Sequence, residues 1–166
     1  KLGVAGSSPV SRSSRAMHSN QEALETAASL MLGFAERTGL GSARPVQRYL
    51  WTDAFAVCNF LELARATGEK RYTELALELV DQVHRALGRH RPDDARSGWI
   101  SGLGESEGAS HPTRGGLRIG KPLPERTAAE PFDERIEWDR DGQYFHYLTK
   151  WMPALDQVSR ALGEPR

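Results

Sequence analysis

The sequence predicts an all-α protein in which helical hairpins are joined by one long loop rich in Gly and Pro. Apolar residues recur at spacings of three and four along four segments, which is typical of helices with one buried face. Two of these segments are apolar on nearly every face. The stretch from residue 90 to residue 140 is different, because it contains seven Gly and five Pro.

The composition limits the class of protein. The 166 residues include 22 Lys and Arg against 22 Asp and Glu, whereas a nucleic-acid-binding protein normally carries a basic excess. Cys58 is the only cysteine, which excludes an internal disulfide and a multi-cysteine zinc site. No apolar run is long enough to span a membrane, and no signal-peptide core is present. We therefore expect a cytoplasmic protein without nucleic-acid or membrane partners, and the oligomeric state stays open.

The first residues of the chain are expected to lie outside the folded domain. Residues 1–16 contain few apolar side chains, so they should form a disordered tail. The segment from Gly6 to Val10 reads Gly-Ser-Ser-Pro-Val, which is what the T-arm of a transfer RNA gene encodes in one reading frame. This match indicates spurious upstream translation with Met17 as the biological start, and the alternative is an ordinary serine-rich tail. The domain is expected to span residues 17–166.

The first two predicted helices differ in how much of their surface is apolar. The first begins after Ser19, which with Glu22 has the spacing of a capping box, and it ends at Gly39. Its apolar residues form a single face. The second is predicted from Pro45 to Thr67 and has hardly any polar face over its middle, which is typical of a buried helix.

The third and fourth predicted helices repeat this contrast. The third runs from Lys70 to Leu87 and has one apolar face. The fourth runs from Asp141 to Leu162, is nearly as apolar as the second, and contains Pro153, which is expected to bend it. Because one-sided and buried helices alternate, we expect two layers, with the second and fourth helices inside.

The loop from residue 90 to residue 140 is expected to be ordered and functional. Loops of this length are uncommon in compact domains unless they serve a site or are disordered. A disordered linker rarely contains so many aromatic and aliphatic side chains. Short strands are predicted around Gly98–Ser101 and Leu117–Gly120. In a two-layer arrangement the loop would cover the end at which the inner helices begin.

Carboxylates and aromatic side chains converge at that end, which we call the mouth. Four residues are candidate catalytic residues: Asp53, Asp139, Asp141 and His146. Carboxylates can act as general acid, general base or nucleophile, and histidine transfers protons near neutral pH. Five residues are candidate substrate-binding residues: Trp99, Arg118, Lys121, Trp138 and Tyr144. Aromatic rings offer apolar faces with polar tips to a ligand, and basic groups bind carboxylates or phosphates.

Each candidate also has a structural interpretation. Asp141 is equally suited to capping the fourth helix. Asp53 should either pair with Arg48 or face a cavity, since an unpaired carboxylate is costly in an apolar helix, and we favour the cavity. His146 could be a structural histidine, and Arg118 could pair with acidic residues of the loop. We expect no metal, because the histidines lack ligand spacing, and no cofactor, because the glycines lack the strand-then-helix context of a nucleotide motif.

Five motifs in the chain carry a resemblance to known proteins. They read Tyr-Leu-Trp-Thr-Asp-Ala-Phe from Tyr49, Arg-Ala-Thr-Gly-Glu-Lys-Arg-Tyr from Arg65, Gly-Trp-Ile-Ser-Gly-Leu from Gly98, Gly-Gly-Leu-Arg-Ile-Gly-Lys from Gly115 and Glu-Trp-Asp-Arg-Asp-Gly-Gln-Tyr from Glu137. The region from Tyr49 to Gln157 resembles an uncharacterised bacterial family of the six-hairpin glycosidase-like superfamily. The resemblance implies an (α/α)6 toroid, a fold of glycoside hydrolases, polysaccharide lyases and sugar epimerases.

A complete toroid is longer than this chain. Six hairpins of about fifty residues need on the order of 300 residues, so the chain is expected to be the N-terminal part of an incomplete toroid. Its second and fourth helices should then expose apolar faces, and burial of Phe60, Leu148 and Trp151 would count against this expectation.

The resemblance implies a carbohydrate-active domain, glycoside hydrolase or sugar epimerase-like, that acts on a carbohydrate substrate through the mouth carboxylates. The chain alone is expected to be inactive, because half of the cavity wall would be missing. The alternative is a helical-repeat interaction scaffold of the tetratricopeptide type, which the Gly-Glu-Lys-Arg-Tyr turn after Thr67 would also suit. Scaffolds have short, regular connections, so the long loop favours the first hypothesis.

Overall fold

A computed structural model describes residues 9–163, with side chains from residue 19 onward; residues 1–8 and 164–166 lie outside the described residues. Part of the predicted tail, with most of the Gly-Ser-Ser-Pro-Val motif, is therefore not described. Within residues 9–163 the protein is all-α, as predicted, and contains no β-strand. This range has six helices: α1 (Pro9–Arg37), α2 (Leu50–Thr67), α3 (Lys70–Leu87), α4 (Glu105–Ser110), α5 (Glu134–Glu137) and α6 (Phe145–Leu162).

The observed helix ends agree with the predicted ones where residues next to the end determine it. Helix α3 has the predicted bounds, and α2 ends at Thr67 because Gly68 takes a left-handed conformation with φ of 74°. The backbone of α1 begins at Pro9, ten residues before Ser19, and so includes the second half of residues 1–16.

Helices α2 and α6 both begin later than predicted. The N-cap of α2 is Tyr49, whose N–H donates to Oδ2 of Asp53 at 2.9 Å. The N-cap of α6 is Tyr144 rather than Asp141, whose carboxylate is bonded to loop residues instead. Helix α6 continues through Pro153.

Helix α2 is the central element of the fold and packs against α1, α3 and α6. Its buried face and that of α3 supply most of the core, which α6 completes with Trp151, Ala154 and Val158. Both α2 and α6 are buried on one face only. Phe55 on α2 and Phe145 on α6 are exposed to solvent, so each helix leaves large apolar side chains uncovered.

Phe60, Leu148 and Trp151, whose burial was to test whether apolar faces are uncovered, differ in their exposure. Phe60 and Trp151 are fully buried by residues of this chain, whereas Leu148 is half-buried. Trp151 near the start of α6 donates to Nε2 of His84 near the end of α3 at 3.2 Å. Within residues 9–163 no helix is both long and apolar enough to cross a membrane.

The long loop is packed onto the helices by buried side chains and backbone hydrogen bonds. Trp99, Leu117 and Ile119 are buried. The N–H of Leu50 donates to the carbonyl of Ile119 at 3.0 Å, and the N–H of Arg118 donates to the last carbonyl of α3 at 2.9 Å. The short strands predicted within this loop are absent, because these bonds join loop to helix ends rather than strand to strand. Two isolated bridges remain among the described residues, one between residues 89 and 99 and one between residues 123 and 140.

Candidate functional site

The N-terminal ends of α2 and α6 lie side by side, as predicted for the mouth. The hydroxyl groups of Tyr49 and Tyr147 are 2.9 Å apart and share a hydrogen bond. Their ring centroids are 5.9 Å apart, and the ring of Trp51 lies 5.4 Å from that of Tyr147. The mouth therefore exists as an aromatic contact between the first turns of two helices that run in the same direction.

Five side chains form what we call the mouth cluster: Tyr49, Trp51, Tyr144, His146 and Tyr147. The imidazole of His146 lies 4.6 Å from the ring of Tyr147 and 5.9 Å from that of Tyr144. Tyr144 and His146 are exposed, and the other three members are half-buried. The cluster thus presents a partly open aromatic surface to solvent.

Two lysines border the mouth cluster. The ammonium nitrogen of Lys121, from the loop, lies 4.9 Å from the ring centroid of Tyr49. The ammonium nitrogen of Lys150, on α6, lies 5.4 Å from the ring centroid of Trp51. Both distances are within the range of cation–π attraction, so the candidate residue Lys121 is at the mouth as expected.

Asp53 lies beneath the mouth rather than in a cavity. Its side chain is 1% exposed, and Oδ1 is 3.7 Å from Nη1 of Arg48, whose side chain is equally buried. Burial raises the pKa of Asp53 to about 7, against the opposing attraction of Arg48 and the hydrogen bond from the Tyr49 N–H. The expectation that Asp53 faces a cavity is wrong. Its carboxylate instead lies beside the buried guanidinium of Arg48 and accepts the N–H of Tyr49, the N-cap residue of α2.

Asp141 is enclosed by four donors. Its Oδ1 accepts the N–H of Gly120 at 2.8 Å and that of Gly142 at 3.0 Å. Its Oδ2 accepts Nη1 of Arg91 at 3.3 Å and Nη1 of Arg118. These bonds occupy the ordinary acceptor capacity of a carboxylate. Asp141 therefore neither caps α6 nor has a lone pair left for a substrate.

Arg118 belongs to the same internal network. Besides Asp141, it donates through Nε and Nη2 to two backbone carbonyls at the end of α3, each at 2.7 Å. Arg118 is therefore a structural residue that pairs with an acid, which was the alternative to substrate binding. Its acid partner is Asp141 rather than a glutamate of the loop. The ion pair holds the start of α6 and the loop to the end of α3.

The remaining candidates separate by exposure. Trp99 is 3% exposed and packs inside the loop, with the guanidinium of Arg89 4.2 Å from its ring centroid. The expectation that Trp99 stacks on a substrate is thus wrong, because the loop uses it as its own core. Trp138 is 77% exposed and Asp139 is exposed as well. Of the four catalytic candidates, only Asp139 and His146 reach solvent.

A cavity of about 380 Å³ opens within the segment that joins α3 to α6, next to the mouth cluster. Its wall is formed mostly by charged, polar and small residues: His90, Arg91, Asp93, Asp94, Arg96, Ile100, Arg118, Pro124, Glu125, Arg126, Thr127, Asp141, Gly142 and Gln143. A methyl group on Gly142 would lie 3.2 Å from the ring of Tyr144 and 3.7 Å from the carboxyl carbon of Glu125. Gly142 therefore marks the place where the cavity meets the aromatic surface.

Most acidic groups of the cavity wall are already paired. Asp93 lies 2.7 Å from Arg91, and Asp94 lies 2.8 Å from Arg96. Glu125 has no basic group within 4.0 Å among the residues with described side chains. The pKa of Tyr144 is raised by burial and, secondarily, by this carboxylate.

Sequence reasoning identified Arg118 and Asp141 of this wall but overlooked Glu125 and most of the others. These residues come from separate parts of the loop and follow no periodicity or ligand spacing. Only the density of charged residues in the loop hinted at them.

Among the residues with described side chains, no three His, Cys, Asp or Glu residues come close enough together to hold a metal ion. No protein-family model, curated protein or solved structure matches the chain.

Proposed function

We propose that this chain forms part of a carbohydrate-active domain and that the mouth binds a saccharide. The exposed aromatic surface carries this proposal. Tyr144 of the mouth cluster is 39% exposed and can offer its ring to the apolar face of a sugar residue. Trp138 of the loop, which is 77% exposed, can offer a second ring. The hydroxyl pair of Tyr49 and Tyr147 adds polar groups of the kind that bind sugar hydroxyls.

The adjoining cavity supports the same proposal. Its volume of about 380 Å³ lies in the range of small-molecule sites, roughly 300 to 1,000 Å³. The wall offers acceptors at Glu125 and both donors and acceptors at Gln143, which suits hydroxyl groups that donate and accept hydrogen bonds. A saccharide stacked on Tyr144 would place its next residue over Gly142, at the rim of the cavity.

Asp139 and His146 are the catalytic candidates that remain in this proposal, because Asp53 and Asp141 are buried and bonded. The adjacent starts of α2 and α6 are compatible with the inner helices of an (α/α)6 toroid. Hydrolase or epimerase activity of an intact form stays a prediction.

A saccharide panel tests the proposal directly. The full chain is titrated with neutral and acidic oligosaccharides, and binding is followed by tryptophan fluorescence and calorimetry. Trp138→Ala and Tyr144→Ala should each weaken binding about tenfold or more, since stacked aromatic contacts dominate such interfaces. Leu30→Ala, which removes a side chain that is likewise exposed but lies on α1, should leave binding unchanged. Equal affinity of all variants, or no binding on the panel, would refute the proposal.

The second candidate is a protein-interaction scaffold, which the exposure of Phe55, Phe145 and Met152 favours. Large apolar side chains at a surface commonly mark contacts with other proteins. The packed loop argues for the first candidate, because scaffold connections are short. The scaffold hypothesis predicts that no saccharide on the panel binds.

A further inference from the structure

We propose that the saccharide bound at the mouth is acidic, and that Lys121 and Lys150 bind its carboxylate or sulfate groups. This inference rests on the proposed function and adds the chemical class of the ligand. It follows from the way charge is distributed around the mouth cluster.

The two ammonium groups border the same aromatic surface. Lys121 lies over Tyr49 and Lys150 lies over Trp51, and both rings contact Tyr147. Lys121 comes from the loop and Lys150 from the second turn of α6. Residues far apart in sequence thus bring two positive charges to one surface.

Neither ammonium group is neutralised by the protein. Among residues with described side chains, no carboxylate oxygen lies within 4.0 Å of Lys121 or Lys150. The arginines beneath the mouth are different, since Arg48, Arg91 and Arg118 each lie within that distance of an aspartate. Beneath the mouth the buried charges are therefore balanced. At the aromatic surface of the mouth, two lysines are available to bind an external anion.

The edge of the mouth cluster at Tyr144 carries a negative charge. A methyl group on Gly142 would lie 3.2 Å from the ring of Tyr144 and 3.7 Å from the carboxyl carbon of Glu125, so this carboxylate lies beside Tyr144. Among residues with described side chains Glu125 has no basic group within 4.0 Å, whereas Glu137 pairs with Arg126. An anionic group would be repelled from that edge and attracted to the lysines, so the two edges orient the ligand. The anionic substituent should lie on the side of Tyr49 and Trp51, and unsubstituted hydroxyls should lie on the side of Tyr144.

The tyrosine hydroxyls add hydrogen-bonding capacity at the lysine edge. Burial and the hydrogen bond shared with Tyr49 raise the pKa of Tyr147 to about 12, so this hydroxyl stays protonated at neutral pH. It therefore remains a neutral group that does not oppose an anion.

The experiment compares acidic saccharides with neutral counterparts of the same backbone. Oligogalacturonate and hyaluronate oligosaccharides are titrated into the full chain beside their carboxyl-reduced forms, and chondroitin sulfate is compared with its desulfated, carboxyl-reduced form. We expect an acidic member to bind at least tenfold more tightly than its neutral form, with affinity falling as salt increases. Lys121→Ala and Lys150→Ala should each weaken that binding about three- to tenfold.

Lys70→Ala is the matched control, because Lys70 starts α3 and so lies at the end of α2 remote from the mouth. Neutral-saccharide affinity should be the same in all three variants. Equal binding of neutral and acidic forms would overturn the acidic class and leave the proposed function standing. Absence of binding to every saccharide, neutral and acidic, would overturn both. Acidic binding that the two mouth variants leave unchanged would overturn the assignment to these lysines.

Discussion

Replacing Asp141 with Ala tests whether the buried carboxylate holds the loop to the helices. The wild-type side chain accepts two backbone N–H groups and two arginine side chains, and it is 1% exposed. The variant would leave Arg91 and Arg118 without their shared buried anion. It would also leave the N–H groups of Gly120 and Gly142 without acceptors.

The expected loss of stability follows from this burial. Removing one partner of a buried, hydrogen-bonded ion pair costs about 3–5 kcal/mol, against about 5–15 kcal/mol for the total stability of a domain. Asp93→Ala is the matched control, since Asp93 pairs with the same Arg91 but its side chain is half exposed. The free energy of unfolding of that variant should be close to the wild-type value, because solvent screens the ion pair that the substitution removes. Asp141→Asn should lie between the two, as it keeps one acceptor oxygen.

Urea denaturation at pH 7, followed by tryptophan fluorescence, measures these differences. Trp99 reports on the loop and Trp151 on the helical core, so loss of the loop alone would appear as two separate transitions. A free energy of unfolding for Asp141→Ala within about 1 kcal/mol of that for Asp93→Ala would refute the reasoning, since the buried pair would then matter no more than the exposed one.

Three further predictions concern the core, the loop and the buried acid. Phe60→Ala should destabilise the protein by about 3–5 kcal/mol in urea denaturation, whereas Phe55→Ala on the exposed side of the same helix should change stability by less than about 1 kcal/mol. Gly108→Ala should lower the thermal midpoint, because its new methyl group would collide with the buried loop indole; Gly104→Ala, which meets nothing within 4 Å, should not. The raised pKa of Asp53 means that its protonated form stabilises the fold below about pH 4 and that this stability is lost as the pH rises through about 7. Asp53→Asn should remove that dependence, which is on the order of 4 kcal/mol at most, in unfolding curves recorded from pH 4 to pH 8.

Much of the helical framework could be read from local patterns. The bounds of α3 follow from one amphipathic stripe, and the end of α2 follows from Gly68, because both signals lie within a few residues of the feature they predict. The adjacency of the two helix starts also followed, since inner helices of successive hairpins must run the same way. The first residue of α6 could not be predicted from local patterns. Asp141 binds atoms of the loop instead of capping the helix, and the helix begins only after the extended residue Tyr144.

The candidate site was less predictable for the same reason. The sequence identified Tyr144 and Lys121 as mouth residues, and Tyr144 belongs to the mouth cluster while Lys121 borders it. Trp138 is exposed to solvent as expected. The sequence could not show that Asp141 pairs with arginines 50 and 23 residues away. It likewise could not show that Trp99 fills the loop.

By itself, the sequence determined the helical class, the run of α3 and the convergence of aromatic side chains at one end, because helical periodicity and chain direction are properties of short segments. Only the tertiary structure decided which of those side chains are open to solvent. Burial and charge pairing depend on distant segments meeting, and a carboxylate that looks catalytic in a motif becomes structural once two arginines enclose it. Beneath the mouth the tertiary structure pairs acids with bases, and among the residues with described side chains it leaves the two lysines of the aromatic surface without a carboxylate within 4.0 Å.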